Sequence, residues 1–279
     1  FTRSGGELDS AGVKEGDAIR WSLGVSTIDP LLLFTQKGQY FLLPVHQIPE
    51  FKWKDTGTAI VNVLPLAKDD RIVSVIPVKP AELVPPEEPA TAAGPSLVFA
   101  TRRGQVKRTA LVEYATNRNM AIAACKVADG DEVVKVFRSD APEDLLLVSE
   151  LGMSIRFTEA EVSLQGRVAG GVRGMQLKEN DAIVDVLSVS GDEGEVLVLS
   201  DYGYAKRSLL LDYPLQGRGG KGIQTFEFKE GKRVRPNGTK LVAAFHVKEA
   251  VTLSTVTNQH VTGEFLSESA PIDDRRSQG

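Results

Sequence analysis

The residues best suited to chemistry lie in one glycine-rich stretch, Gln216-Gly217-Arg218-Gly219-Gly220-Lys221-Gly222. From Gly217 to Gly222 it spells G-x-G-x-x-G, the pattern that seats a dinucleotide pyrophosphate on a helix N-terminus. The residues that follow, Ile223-Gln224-Thr225-Phe226-Glu227-Phe228, alternate like a strand and open no helix, so that reading fails. A P-loop fails as well: the place five residues before Gly220 holds Leu215, and no Ser or Thr follows Lys221. What remains is a loop able to bring backbone N–H groups, Gln216 and the cations Arg218 and Lys221 beside phosphate groups. The plainer alternative is an inter-strand loop with solvent-facing charges. A degenerate copy, Gln165-Gly166-Arg167-Val168-Ala169-Gly170-Gly171-Val172-Arg173-Gly174, stands one repeat earlier.

A second set of cations follows tight turns: Arg102, Arg103, Lys107 and Arg108 in one repeat, Lys206 and Arg207 in another, and Arg156 on the equivalent strand between them. If repeats are arranged around a ring, equivalent positions share a rim, which would be a basic track for duplex DNA, with Lys52 and Lys54 beside Trp53 extending it. Contacts of this kind go to phosphates, so binding would be nearly independent of sequence and steeply dependent on salt. The chain carries a net charge of −4, which argues against a generic nucleic-acid binder. Its distribution says more: Lys206 to Lys240 holds nine basic residues against three acids, or +6, leaving −10 elsewhere.

Other chemistries find no support. No nucleophile–base pair or carboxylate dyad is marked by spacing, and acids in Asp-rich turns read as turn-formers. One cysteine and three scattered histidines (His46, His246, His260) assemble no metal set, so catalytic, metal and cofactor sites are all expected to be absent. The lone Cys125 has no internal disulfide partner, in keeping with a reducing cytoplasm. No stretch approaches the roughly 20 apolar residues of a membrane-spanning helix, and Phe1 to Gly6 has no signal-peptide pattern.

The elements that must position these residues repeat. Five apolar, β-prone runs end at Gly38, Gly104, Gly152, Gly203 and Asn258, residues able to take positive φ, and a second strand follows each one. The turn residues lie 66, 48, 51 and 55 apart. The long interval contains a Pro/Ala/Glu-rich insert whose removal restores the period, so residues 80–94 read as a loop between repeats. Between the hairpins runs a second phase: Val13–Ile19, Leu66–Ile72, Val127–Val133 and Leu177–Ile183, with a fifth copy stretched by Glu230–Gly238. Read as another hairpin, it gives four strands per repeat and an all-β propeller or pinwheel of five to six four-stranded blades. A pair of β-sandwiches is the alternative; regular repetition favours radial closure, since each unit needs a neighbour to cover its faces. The units fall near 1–28, 29–79, 95–141, 142–191, 192–249 and 250–279, within one domain spanning 1–279. The chain starts and stops within a unit, as an excised fragment would.

Tyr202-Gly203-Tyr204-Ala205-Lys206-Arg207, then Tyr213 and the 216–222 loop, resembles the gyrase A repeat and its Q-R-R-G-G-K-G box, with Gly217 in place of the first Arg. Leu32 to Gly38 with Val45-His46-Gln47-Ile48-Pro49-Glu50 resembles another repeat type of the same family. The resemblance runs through essentially every unit. It implies a C-terminal, non-catalytic module from the breakage subunit of a bacterial type IIA topoisomerase. That module would be a pinwheel in which adjacent blades exchange strands and DNA bends around a basic rim. The box stands in the last complete repeat, not the first, and Phe51-Lys52-Trp53-Lys54-Asp55-Thr56-Gly57 is closer to topoisomerase IV of Gram-positive bacteria than to gyrase. The resemblance further implies that ATP and Mg²⁺ act elsewhere in the parent enzyme. Its implied partners are duplex DNA, the ATPase subunit, the rest of its own polypeptide, and its implied place is with the chromosome in the bacterial cytoplasm. A protein-interaction propeller is the reading from another class, and a propeller hydrolase, with acids at a central channel, is a third.

Overall fold

The computed structural model describes residues 19–52, 55–85, 94–229, 235–257 and 262–277. Several expectations therefore lie outside the described residues: Val13–Asp17, Trp53 and Lys54, most of the Pro-rich insert, Glu230–Val234 and the turn at Asn258. Among the described residues there are seventeen strands and seven short 3-10 turns, with no α-helix.

The apolar runs form hairpins as their turn glycines require. β1 (Pro30–Thr35) pairs with β2 (Gln39–Pro44), β3 spans Ile72–Pro77, and β4 (Ser96–Thr101) pairs with β5 (Gln105–Ala110). Then come β6 (Ile122–Ala123), β7 (Val133–Ser139), the hairpin β8 (Asp144–Ser149) and β9 (Met153–Thr158), β10 (Val172–Arg173) and β11 (Ile183–Val189). The chain continues through the hairpin β12 (Glu195–Ser200) and β13 (Ala205–Leu209), β14 (Ile223–Gln224), β15 (Leu241–Val247), and the hairpin β16 (Thr252–Val256) and β17 (Thr262–Leu266).

Strand pairing corrects one expectation. The second phase of each repeat is not a hairpin, because its two arms belong to different sheets. β6 crosses to pair with β2, β10 with β5, and β14 with β9, while the arms that follow, β7, β11 and β15, pair with β4, β8 and β12 of their own repeat. The sheets thus run β3-β1-β2-β6, β10-β5-β4-β7 and β11-β8-β9-β14, then β13-β12-β15 and β16-β17. This is the strand exchange that the resemblance implied.

The turn glycines explain where each exchanged strand docks. Gly38, Gly104 and Gly152 have φ of 76°, 83° and 80°, a region only glycine enters freely. Their carbonyls accept paired N–H bonds from Ala124 and Cys125, from Gly174 and Met175, and from Thr225 and Phe226. A Cβ on any of the three would strike the arriving backbone, at Cys125, Met175 or Phe226. Gly203 has the same φ with nothing around it, and no exchanged strand packs there among the described residues.

The core lies between successive sheets. Leu32, Phe34 and Tyr40 of the first sheet pack with Leu97 and Phe99 of the second and with Tyr114 in the 3-10 turn that follows β5. The Phe34 ring stands edge-on to Phe99 at 5.4 Å and to Tyr114 at 5.5 Å, the offset geometry aromatic pairs prefer. Val98 and Ala100 share a second cluster with Leu145, Leu147 and Phe157. Leu146 and Val148 share a third with Val196, Val198 and Tyr213. The central strands β1, β4, β8 and β12 are buried on both faces and depend on neighbouring sheets for cover, so they read as nearly unbroken apolar runs.

Candidate nucleic-acid interface

The structure separates the expected phosphate contacts into three groups. Lys107 and Lys206, three residues beyond turn glycines, are 1% and 0% exposed. Lys206 Nζ donates to the carbonyls of Thr225, Asp274, Arg275 and Ser277 at 2.8, 3.1, 2.8 and 3.0 Å. Lys107 Nζ donates to Ala124 and Arg167 at 2.7 and 2.6 Å, and lies 4.9 Å from the centre of the Phe99 ring. A buried ammonium persists only where acceptors replace its water, and burial draws both lysines from the ordinary 10.5 down to about 8. Ile155 fills the equivalent place in the intervening repeat.

The next residue along each strand is a buried or half-buried arginine. Arg108 is ion-paired to Glu159 at 2.9 Å, and its Nη1 donates to the Val162 carbonyl. Arg156 pairs with Asp144 at 2.8 Å and Asp192 at 3.0 Å, and Arg207 with Glu195 at 2.8 Å. Each also donates to a carbonyl on a neighbouring loop: Glu159, Tyr213 or Ala270. Lys107, Arg108, Arg156, Lys206 and Arg207 therefore tie repeats together, with their charge consumed by carboxylates and carbonyls. That is a correction to the basic track, whose periodicity was real but whose side chains point inward.

Arg102 and Arg103 stay at the surface, on the turn between β4 and β5. Arg102, whose side chain is 42% exposed, pairs with Glu150 at 2.8 Å and lies 3.8 Å from Glu132. Arg103 donates to the Asp129 carbonyl at 3.1 Å, and its N–H meets Asp131 at 2.9 Å. Asp-rich turns surround this end of the sheets, so its cations are locally neutralised.

The glycine loop forms the third group. Leu215 bridges to Arg156 in parallel register, and Gln216 N–H donates to the Arg156 carbonyl at 2.8 Å. Gly219 N–H donates to Gly174, and Gly220 accepts from Gln176, each at 2.8 Å, which lays the loop across the preceding repeat. Arg218 Nη1 donates to the Arg173 carbonyl at 2.7 Å, and its backbone N–H is capped by Glu161 at 3.0 Å. Gln216 is half-buried and Lys221 exposed.

The loops on either side repeat this geometry. Arg167 donates to the Ala123 carbonyl at 2.6 Å, with its N–H capped by Glu113 at 2.9 Å. Arg275 donates to the carbonyls of Gln224 and Asp212. Exchange of strands places Lys126 beside the first loop, where its N–H meets the Ala169 carbonyl, and Arg173 beside the second. Exposed Lys126, Arg173, Lys221 and Arg276 with half-buried Arg167, Arg218 and Arg275 thus belong to one series of interlocked loops. Sequence reasoning missed Lys126, Arg167, Arg173, Arg275 and Arg276 as candidates. Only the repeat phase of Arg167, Arg218 and Arg275 was there to signal them. No cluster of metal-ligating side chains occurs among the described residues, and no helix among them is long and apolar enough to cross a membrane.

Sheets whose fourth strand is handed over by the following repeat, joined through glycine loops with a clasping arginine, define a strand-exchanged β-propeller. The chain belongs to the DNA gyrase C-terminal domain, beta-propeller family, whose pattern matches residues 29–79, 95–140, 143–190 and 194–235. It is accordingly a C-terminal domain of the A subunit of a type IIA topoisomerase. It is 35% identical to the DNA gyrase A protein of Mycolicibacterium smegmatis over 258 residues, 92% of this chain. It is 32% identical to that of Salmonella typhimurium over 278 residues, 99% of this chain. The chain spans only 29% and 30% of those two relatives. The crystal structure of the C-terminal domain of DNA topoisomerase IV matches with a TM-score of 0.84 at 29% identity, covering 97% of this chain and 80% of that one. The structure of the DNA gyrase A C-terminal domain shares the fold, with a TM-score of 0.72 at 23% identity over 100% of this chain and 85% of that one.

Proposed function

We propose that this chain binds and bends duplex DNA through phosphate contacts, and so sets the topological substrate preference of a bacterial type IIA topoisomerase. The observation that carries the reading is the series of equivalent loops around Arg167, Arg218 and Arg275, each laid across the preceding repeat with exposed cations beside it. Lys126, Arg173, Arg218, Lys221 and Arg276 are the phosphate contacts, with Gln216 as a polar neighbour. Loops fixed at both ends offer these charges in a preset array, so a duplex following them must curve. The chain itself carries out no chemistry. The parent enzyme is an ATP-dependent isomerase with its ATP and Mg²⁺ sites elsewhere. The domain's partners are the ATPase subunit, the remainder of its own polypeptide, and the chromosome in the bacterial cytoplasm.

The parent is of the topoisomerase IV kind, a reading supported by the 0.84 superposition and by a box one arginine short. The 35% identity to a gyrase A protein favours gyrase as the second reading. Singly nicked plasmid ligated in the presence of the chain separates them: chiral wrapping leaves a linking-number difference once the nick is sealed and the protein removed, whereas simple bending leaves none. The DNA-binding proposal is tested by affinity for a long duplex against salt. DNA binding predicts that log K falls linearly with log salt, by about 0.9 for each phosphate neutralised. Absence of binding at low salt overturns it and leaves a protein partner as the better account.

A further inference from the structure

The interlocked loops also expose bulky apolar residues at one repeated position. Leu164, Leu215 and Ile272 are 44%, 60% and 54% exposed. Each forms a parallel bridge to the equivalent arginine of the preceding strand, Arg108, Arg156 or Arg207. The N–H of the following residue then donates to that arginine's carbonyl, at 2.8 to 2.9 Å. Two residues earlier, the same loops bury Val162, Tyr213 and Ala270 at 0%, 1% and 4%. The backbone is thus locked with one side chain in the core and the next large one left in water. Three residues later comes the clasping arginine, Arg167, Arg218 or Arg275. A single exposed leucine is ordinary, but three at one phase of a repeat, in rigid loops, call for an occupant.

Resting on the DNA-binding reading, we propose that Leu164, Leu215 and Ile272 pack against the deoxyribose and minor-groove edge of the duplex, setting where and how sharply it bends. The occupant is argued from charge: the loops that carry the three also bring Lys126, Arg173, Lys221 and Arg276 to the surface, a setting suited to a polyanion. Phosphates are held by the cations and the sugar face is apolar, so a bent duplex meets both kinds of side chain. Apolar residues pressed into a minor groove favour bending without reading sequence. Thr116 stands at this position in the preceding loop, so the apolar row covers three successive loops and not four.

The test uses the full 279-residue chain and a duplex end-labelled for energy transfer. The triple variant L164S/L215S/I272S is expected to bind about tenfold more weakly at every salt concentration, the scale of a few partly buried apolar contacts. It is expected to bend DNA less, while the slope of log K against log salt stays that of wild type. The variant L164M/L215M/I272M, apolar at the same places, retains wild-type bending. Unchanged bending and affinity in the serine variant overturns the proposal and assigns the row to a protein partner. A loss with a shallower slope also overturns it, because the residues would then act by holding cations. If wild type itself fails to bind any duplex, the DNA-binding reading falls first, and this proposal with it.

Discussion

The guanidinium of Arg218 donates a 2.7 Å hydrogen bond to the backbone carbonyl of Arg173, a residue of the strand handed over to the preceding sheet. One half-buried side chain therefore closes the junction between repeats and also belongs to the proposed set of phosphate contacts. Stability and binding are coupled at that atom. Replacing Arg218 by Ala removes both, and a loss of about 0.5–1.5 kcal/mol in unfolding free energy is expected from the hydrogen bond. The salt slope of DNA binding should fall by about 0.9. Arg218→Lys keeps the charge but not the clasp, so it should restore the slope and leave the stability loss. Denaturant titration and salt-dependent binding read the two effects separately.

Arg102 and Arg103 are expected to matter little for DNA. Arg102 is committed to Glu150 and Glu132, and Arg103 to the Asp129 carbonyl. The double alanine variant should bind a long duplex with unchanged salt slope. A slope reduced by two phosphates would return the turn end of the sheets to the interface.

Glycines of the 216–222 loop should differ sharply. Gly222 has φ of 72°, and a Cβ there would collide with the Ser154 carbonyl oxygen. Gly222→Ala is expected to cost about 1–3 kcal/mol, the range for strained left-handed positions, read as a lower thermal midpoint. Nothing lies within 4 Å of a Cβ on Gly217. Gly217→Arg should fold normally and add one cation to the loop, raising the salt slope by about 0.9.

Lys206 should act as a structural residue with a pH signature. Lys206→Met withdraws the ammonium from four carbonyls, two of which, on Asp274 and Ser277, keep a backbone N–H, and is expected to cost about 1–3 kcal/mol. Burial lowers the folded-state value from 10.5 to about 8, so between those limits the unfolded chain binds more protons. Stability from this group therefore rises as pH increases from about 8 toward 10.5, and the methionine variant should lose that rise. Unfolding titrations at pH 7.5 and 9.5 compare the two. Lys107, shifted in the same direction by the same cause, should behave alike.

The sequence by itself determined the local conformations. Apolar runs closed by Gly38, Gly104, Gly152 and Gly203 had to be hairpins, because strand propensity and positive φ are properties of a few adjacent residues. The repeat phase was also legible, and with it the equivalence of the 165–171 and 216–222 loops. The path of the second phase was not. Ile122–Ala123, Val172–Arg173 and Ile223–Gln224 pair with strands of the preceding repeat, a choice made by backbone groups that all sequences share. The fate of the cations depended on that choice. Lys107 and Lys206 look like surface charges until the exchanged strand and the next loop bring carbonyls to them. Lys126 and Arg173 look unrelated to the glycine loops until the same exchange sets them alongside. Charge is written residue by residue, but whether it meets protein or solvent was decided only by strands far apart in the chain coming together.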